Sequence, residues 1–141
     1  MTLPVSAILL DCIAAAAVLI YLPFLVVGYA RAQVGYDTAA PRAMFEKLPA
    51  YAQRATWAHQ NSFETFMVFA AAALMAYVTN QDSSVAAIAA IAFVVARLLY
   101  SVFYILNVPI ARSLMFGIGS LSSGTLIVLS LLSANSSLGN G

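Results

Sequence analysis

Arg54, Asn61 and Glu64 place a cation, an amide and a carboxylate along the segment RATWAHQNSFETF, residues 54–66, at the mouth of an otherwise apolar stretch. At 100° per residue Asn61 falls about 20° from Arg54 and about 60° from Glu64, so the three share one stripe of a helix. Further along, Arg97, Tyr100 and Tyr104 stand at i, i+3 and i+7, again a single helical face. Arg112 follows just beyond the Asn107–Pro109 turn. Arginine forks bind carboxylates through two parallel, charge-assisted hydrogen bonds that strengthen in a low-dielectric setting. Asn61 offers both a donor and an acceptor, and Glu64 is suited to hold an ammonium group or to orient an arginine. A cation beside a bound thiol favours the nucleophilic thiolate, and Arg112 is placed for that task. The expected chemistry is recognition of a carboxylate-bearing small molecule.

Each of these residues also has a plainer reading. Arg54 and Arg112 can snorkel to headgroups at the ends of membrane spans. Glu64 and Arg97 can form a structural ion pair, and tyrosines are ordinary members of an interfacial belt. Their coincidence on two facing stripes at one depth is what points to a site. Ionisable groups inside a span cost about 2.5–3.5 kcal/mol each on insertion scales and usually face a bundle interior or a wet cavity.

The elements that must position them are membrane helices. The chain has 141 residues, 63% of them hydrophobic and only 8% charged. Soluble domains carry about 25% charge, so the expected class is an integral membrane protein. A formal net charge of +1 favours no nucleic-acid partner. Apolar stretches at about 5–29, 54–77, 85–106 and 110–132 predict a single all-α domain of four spans covering 1–141. MTLPVSAILLD has no basic leader and its apolar stretch continues past Asp11, so the first span is expected to cross rather than be cleaved. The connection from Val34 to Gln53, with Gly35, Pro41 and Pro49, reads as an interfacial loop, and SANSSLGNG at the end reads as a mobile tail.

Basic residues fix the expected orientation. Arg31, Arg42, Lys47 and Arg54 flank the first connection and Arg112 follows the third, whereas the second connection and both termini have none. The odd connections are therefore expected in the cytoplasm, with both termini on the opposite side. One cysteine, Cys12, and one histidine, His59, imply no disulfide and no metal site. Cys12 is expected to pack. His59 lies about 160° from Asn61 and is expected to support the site or contact another subunit rather than catalyse. Asp11, within the first span, is expected to need an arginine from a neighbouring helix or subunit.

At these residues the chain resembles the MAPEG family, the membrane-associated proteins in eicosanoid and glutathione metabolism. Arg54, Ala58, His59, Asn61 and Glu64 match its second-helix pattern, and Arg97, Tyr104, Pro109 and Arg112 match its third-to-fourth-helix pattern. Arg31 falls where the family has an arginine ending the first helix, and the likeness covers about Ala30 to Gly119. The chain looks like a bacterial-type member resembling microsomal glutathione transferase. The resemblance implies a homotrimer of four-helix subunits holding glutathione, as co-substrate, between adjacent subunits. It implies that Arg31, Asn61, Glu64, Arg97 and Tyr104 hold the tripeptide and that Arg112 stabilises its thiolate. Arg54 and Tyr100, on the same stripes, join the expected binding set. The expected activity is glutathione transfer to, or peroxidase action on, lipophilic electrophiles or lipid hydroperoxides taken from the bilayer; the alternative is a non-catalytic protein binding a lipid or partner in the same cleft. Trp57 and Gln60 stand where glutathione-using members have further arginines, and Tyr100 stands where some have histidine. The absence of a terminal retention signal and of a basic leader is compatible with a bacterial inner membrane.

Overall fold

A computed structural model describes residues 3–138. It contains four long helices, α1 (Val5–Gln33), α2 (Ala50–Val78), α3 (Ser84–Ile105) and α4 (Pro109–Leu138), with a 3-10 helix, Pro41–Lys47, between the first two. All four long helices have the length and apolar composition to cross a membrane. The protein is an all-helical, multi-pass integral membrane protein. α1 packs on α2 and α3, and α4 packs on the same two, so α2 and α3 form the centre and the other helices flank them.

Small residues let the central helices approach closely. Ala72, Ala73 and Ala76 of α2 and Ala86, Ala89 and Ala90 of α3 are all in one core cluster with Leu9, Cys12 and Ala16 of α1 and Leu126 of α4. Without a hydrophobic drive between helices in lipid, such close backbone packing is a main source of association. Within this cluster the rings of Phe69 and Phe93 stack face to face, 3.8 Å between centroids and 3° from parallel. Both are essentially inaccessible. Phe69→Ala is expected to destabilise the fold by about 3–5 kcal/mol, the usual cost of emptying an aromatic core position. Thermal unfolding in detergent checks this, and an unchanged transition would mean the stack contributes nothing to the bundle.

Two asparagines shape the short turns. Asn80 and Asn107 adopt positive φ, 53° and 60°, the left-handed conformation that asparagine tolerates better than most residues. At the end of α3, Val108 N–H donates to the Phe103 carbonyl at 2.9 Å and Asn107 N–H to Tyr104 at 3.2 Å; Gln81 and Asn80 make the matching pair at the end of α2. Both turns are Schellman caps. The second is followed at once by Pro109 at the start of α4, and this tight reversal brings Arg112 beside the end of α3.

Three of the four long helices, α1, α2 and α4, outrun the sequence-based boundaries. α1 continues past Tyr29 and carries Arg31 in its last turn. The first connection is not a plain loop: Met44 and Leu48 are buried, and the Asp37 carboxylate accepts from the Ala39 and Ala40 N–H groups. Met44 and Leu48 seat the 3-10 helix and its end against the bundle, and the Asp37 bonds order the turn that precedes it. The tail is helical through Leu138 within the described residues. There Ser136 Oγ donates back to the Ser133 carbonyl, and Ser133 Oγ donates to Thr79 at 3.4 Å, so serines feed the helix rather than break it.

Cys12 is buried in the core, as a packing residue would be. Asp11 beside it is exposed, at a shallow groove shared with Ile91 and Val94, and no arginine or other hydrogen-bonding group of the described residues meets it.

Candidate functional site

Arg97 anchors the polar cluster. It enters from the middle of α3, is only 4% exposed, and its Nη2 donates to Asn61 Oδ1 at 3.0 Å and to Ser62 Oγ at 3.1 Å. Its guanidinium carbon stands 4.0 Å from the centroid of the Tyr100 ring, one helical turn on. The remaining donors, Nε and Nη1, are buried without a partner. A buried cation with spare donors is suited to receive an acceptor, because an unmade hydrogen bond there costs about 1–3 kcal/mol. Gly119 of α4 packs close to the arginine: a Cβ at that position would lie 3.6 Å from Arg97 Cδ, in ordinary van der Waals contact.

Two adjoining cavities open from this cluster. The larger, about 410 Å³, is lined by Asn61, Glu64 and Thr65 of α2, Phe93 and Arg97 of α3, and Phe116, Gly119, Ser120 and Ser123 of α4. The smaller, about 300 Å³, is lined by Asn61, Tyr100, Tyr104, Arg112, Ser113 and Phe116. Asn61 and Phe116 belong to both. Here Arg112 lies over the Tyr104 ring, 4.7 Å from its centroid, and Tyr104 meets Tyr100 edge-on with ring centres 5.5 Å apart. Tyrosine faces attract cations, so both guanidiniums are held in place without an acidic partner consuming their charge. Glu64 has no ion-pair or hydrogen-bond partner among the described residues, so neither the structural Glu64–Arg97 pair nor a Glu64-oriented arginine is formed.

Asn61, Glu64, Arg97, Tyr100, Tyr104 and Arg112 are thus brought together in one subunit. Arg54 and Arg31 are placed elsewhere. Arg54 Nε donates to the Ile105 carbonyl at 3.0 Å, an acceptor left free at the end of α3. It staples α2 to α3 at a helix C-terminus, where a cation is favoured. Arg31 lines a third cavity, about 520 Å³, with Arg42, Phe45, Trp57, His59 and Gln60. Trp57 stands between the two regions, its ring 5.6 Å from Phe45 and 6.4 Å from Tyr104. His59 Nδ1 is 2.7 Å from the Ile20 carbonyl and its ring lies between Tyr21 and Phe24 of α1, away from the Arg97 cluster.

Sequence reasoning missed Ser62 and Ser113. Ser62 follows Asn61 directly, but serine is common in apolar helices and nothing in its spacing marks it as the second acceptor for Arg97.

A family model, that of the MAPEG family, matches residues 8–132. The chain belongs to the MAPEG family. The match takes in every residue of the two adjoining cavities and of the Arg31 cavity. No curated protein and no solved structure matches the chain. Among the described residues of this MAPEG protein no group of histidine, cysteine, aspartate and glutamate side chains is arranged to hold a metal ion.

Proposed function

We propose that this protein is a membrane-bound glutathione transferase or peroxidase acting on lipophilic electrophiles or lipid hydroperoxides. The observation that carries the reading is Arg112 poised over Tyr104, in a cavity that adjoins the spare donors of Arg97. Glutathione is the co-substrate. Arg97 and Asn61 hold a carboxylate or peptide carbonyl, Glu64 takes the ammonium group, and Tyr100 and Tyr104 wall the cysteinyl side. Arg112 lowers the energy of the thiolate. In the transferase reaction the thiolate sulfur bonds to an electrophilic carbon, and the electron pair displaced from that carbon leaves with a departing group or, in an addition, moves to a neighbouring atom that is then protonated. In the peroxidase reaction a hydroperoxide is reduced to an alcohol and water while two glutathiones are oxidised to the disulfide. Proximity and an ionised sulfur are sufficient for either.

The assembly in this reading is a homotrimer with glutathione between subunits, which unites Arg31 with residues that stand apart from it in one chain. The Arg31 end of the bundle faces the cytoplasm and both termini face away, in a bacterial inner membrane. Arg54 contributes by fixing the end of α3, and hence Tyr104.

The test is the ultraviolet thiolate absorption of the detergent-purified protein titrated with glutathione, followed by turnover with an electrophile and a lipid hydroperoxide. A saturable thiolate signal with turnover is expected. Its absence at millimolar glutathione would reject the enzyme reading and leave the cleft as a binding site for lipid or a partner.

A further inference from the structure

The cavity beneath the 3-10 helix holds two cations that no described residue neutralises. Arg31, in the last turn of α1, and Arg42, on the 3-10 helix, both line it. Neither forms an ion pair among the described residues, and Glu46, the one acidic residue of the 3-10 helix, meets neither of them. Arg31 rests 5.9 Å from the centroid of the Phe24 ring, and its Nε is buried with no acceptor. Two like charges around one small space repel each other unless an anion lies between them. Two guanidinium forks, with the Gln60 amide and the indole N–H of Trp57 on the same wall, offer donors and no carboxylate.

The Pro41–Lys47 segment is not there by accident of a long connection. Met44 is buried beneath it and Phe45 packs on Trp57, so the helix is seated and Arg42 is delivered to the cavity by a fixed element. Arg42 therefore supplies a cation on the wall where α2 presents the uncharged Trp57 and Gln60.

We propose that Arg42, with Arg31, forms a carboxylate clamp in this cavity that selects thiols bearing a free carboxylate. The inference rests on the proposed use of glutathione and adds Arg42 as a specificity-determining residue of that site. A thiol lacking carboxylates, or one whose carboxylates are esterified, gains nothing from the clamp.

The cavity carries its own reporter. Trp57 is the single tryptophan of the chain and lines it, so tryptophan fluorescence reads occupancy without any chemistry. The experiment titrates the full-length protein in detergent with S-methylglutathione, which keeps both carboxylates and cannot ionise at sulfur, and with its diethyl ester. The wild type is expected to show a saturable change with the acid. Arg42→Ala should weaken that binding ten-fold or more, and Arg42→Lys should recover part of it, because lysine keeps the charge and loses the fork. The diester should bind weakly and equally to all three. Arg42 is exposed and its side chain holds no other element, so its removal leaves folding intact.

Identical titrations for wild type and Arg42→Ala, a diester that binds as well as the acid, or no saturable change in the wild type would each overturn the clamp. Thiolate formation without any dependence on Arg42 would leave the enzyme reading standing and remove this one. Arg42-dependent binding without thiolate formation would do the reverse.

Discussion

Loss of the Arg112 guanidinium is expected to cut glutathione turnover by about thirty-fold near pH 7. A thiol with no electrostatic help has a pKa of about 8.5, so roughly 3% of it is thiolate at that pH. A fully stabilised thiolate is nearly all ionised, and the ratio between the two sets the size of the effect. The sign with pH follows from the same arithmetic. As pH rises the unassisted thiol ionises on its own, so the deficit of Arg112→Ala shrinks and disappears above about pH 9.5. A pH profile of kcat/KM for wild type and variant measures it. A deficit that stayed constant with pH would assign Arg112 to orienting the substrate, and no deficit at pH 7 would reject its role. The variant should fold, since among the described residues the side chain contacts the Tyr104 face and makes no hydrogen bond, a contribution of about 0.5–1 kcal/mol.

The second large effect separates stability from binding at Arg97. Arg97→Met keeps an unbranched side chain of similar length and removes a buried charge that is incompletely satisfied. Replacing such a charge by a well-packed apolar group is often neutral or stabilising. The thermal transition of this variant is therefore expected to stay or rise. Glutathione affinity should fall, because charge-assisted hydrogen bonds contribute about 1.5–3 kcal/mol, roughly ten- to a hundred-fold in affinity. Arg97→Ala should lose both, since it also empties the space beside Phe93 and Gly119, whereas the loss of the donor to Asn61 and Ser62 is common to the two variants. Calorimetry or scanning fluorimetry in detergent, paired with a binding titration, distinguishes the two variants. Equal binding by Arg97→Met and wild type would mean that the spare donors of Arg97 do not meet the ligand.

The four spans were legible because a span must be apolar over its whole length, and that signal is carried by composition alone. The facing stripes were legible for a related reason. Arg97, Tyr100 and Tyr104 fall on one side of a helix by spacing, and the structure brings them to Asn61 and Arg112. Helix ends were read short where polar residues begin, as at Ala30–Gln33 and Ser133–Leu138, because the signal used was hydropathy and the helix itself continues through hydrogen bonding. The 3-10 helix was hidden by Pro41 and Pro49, which read as loop punctuation although Pro41 opens the helix and Pro49 precedes α2. The separation of Arg31 and Arg54 from the Arg97 cluster had no sequence signal at all. Arg54 shares a stripe with Asn61, but it sits two turns nearer the helix end, where the free carbonyl of Ile105 claims it.

Asp11 fits the same geometry from the other end of the bundle. It stands twenty residues from Arg31 along α1, about 30 Å of helix axis, and 30 Å is the thickness of a bilayer's hydrocarbon core. A bilayer of that thickness with Arg31 at one surface would have Asp11 at the other, where water and headgroups would solvate a carboxylate that has no partner among the described residues. The two charges act as depth marks on a gauge. In such a bilayer, sliding the helix by a single turn in either direction would draw one of them into hydrocarbon, and that cost would oppose the slide.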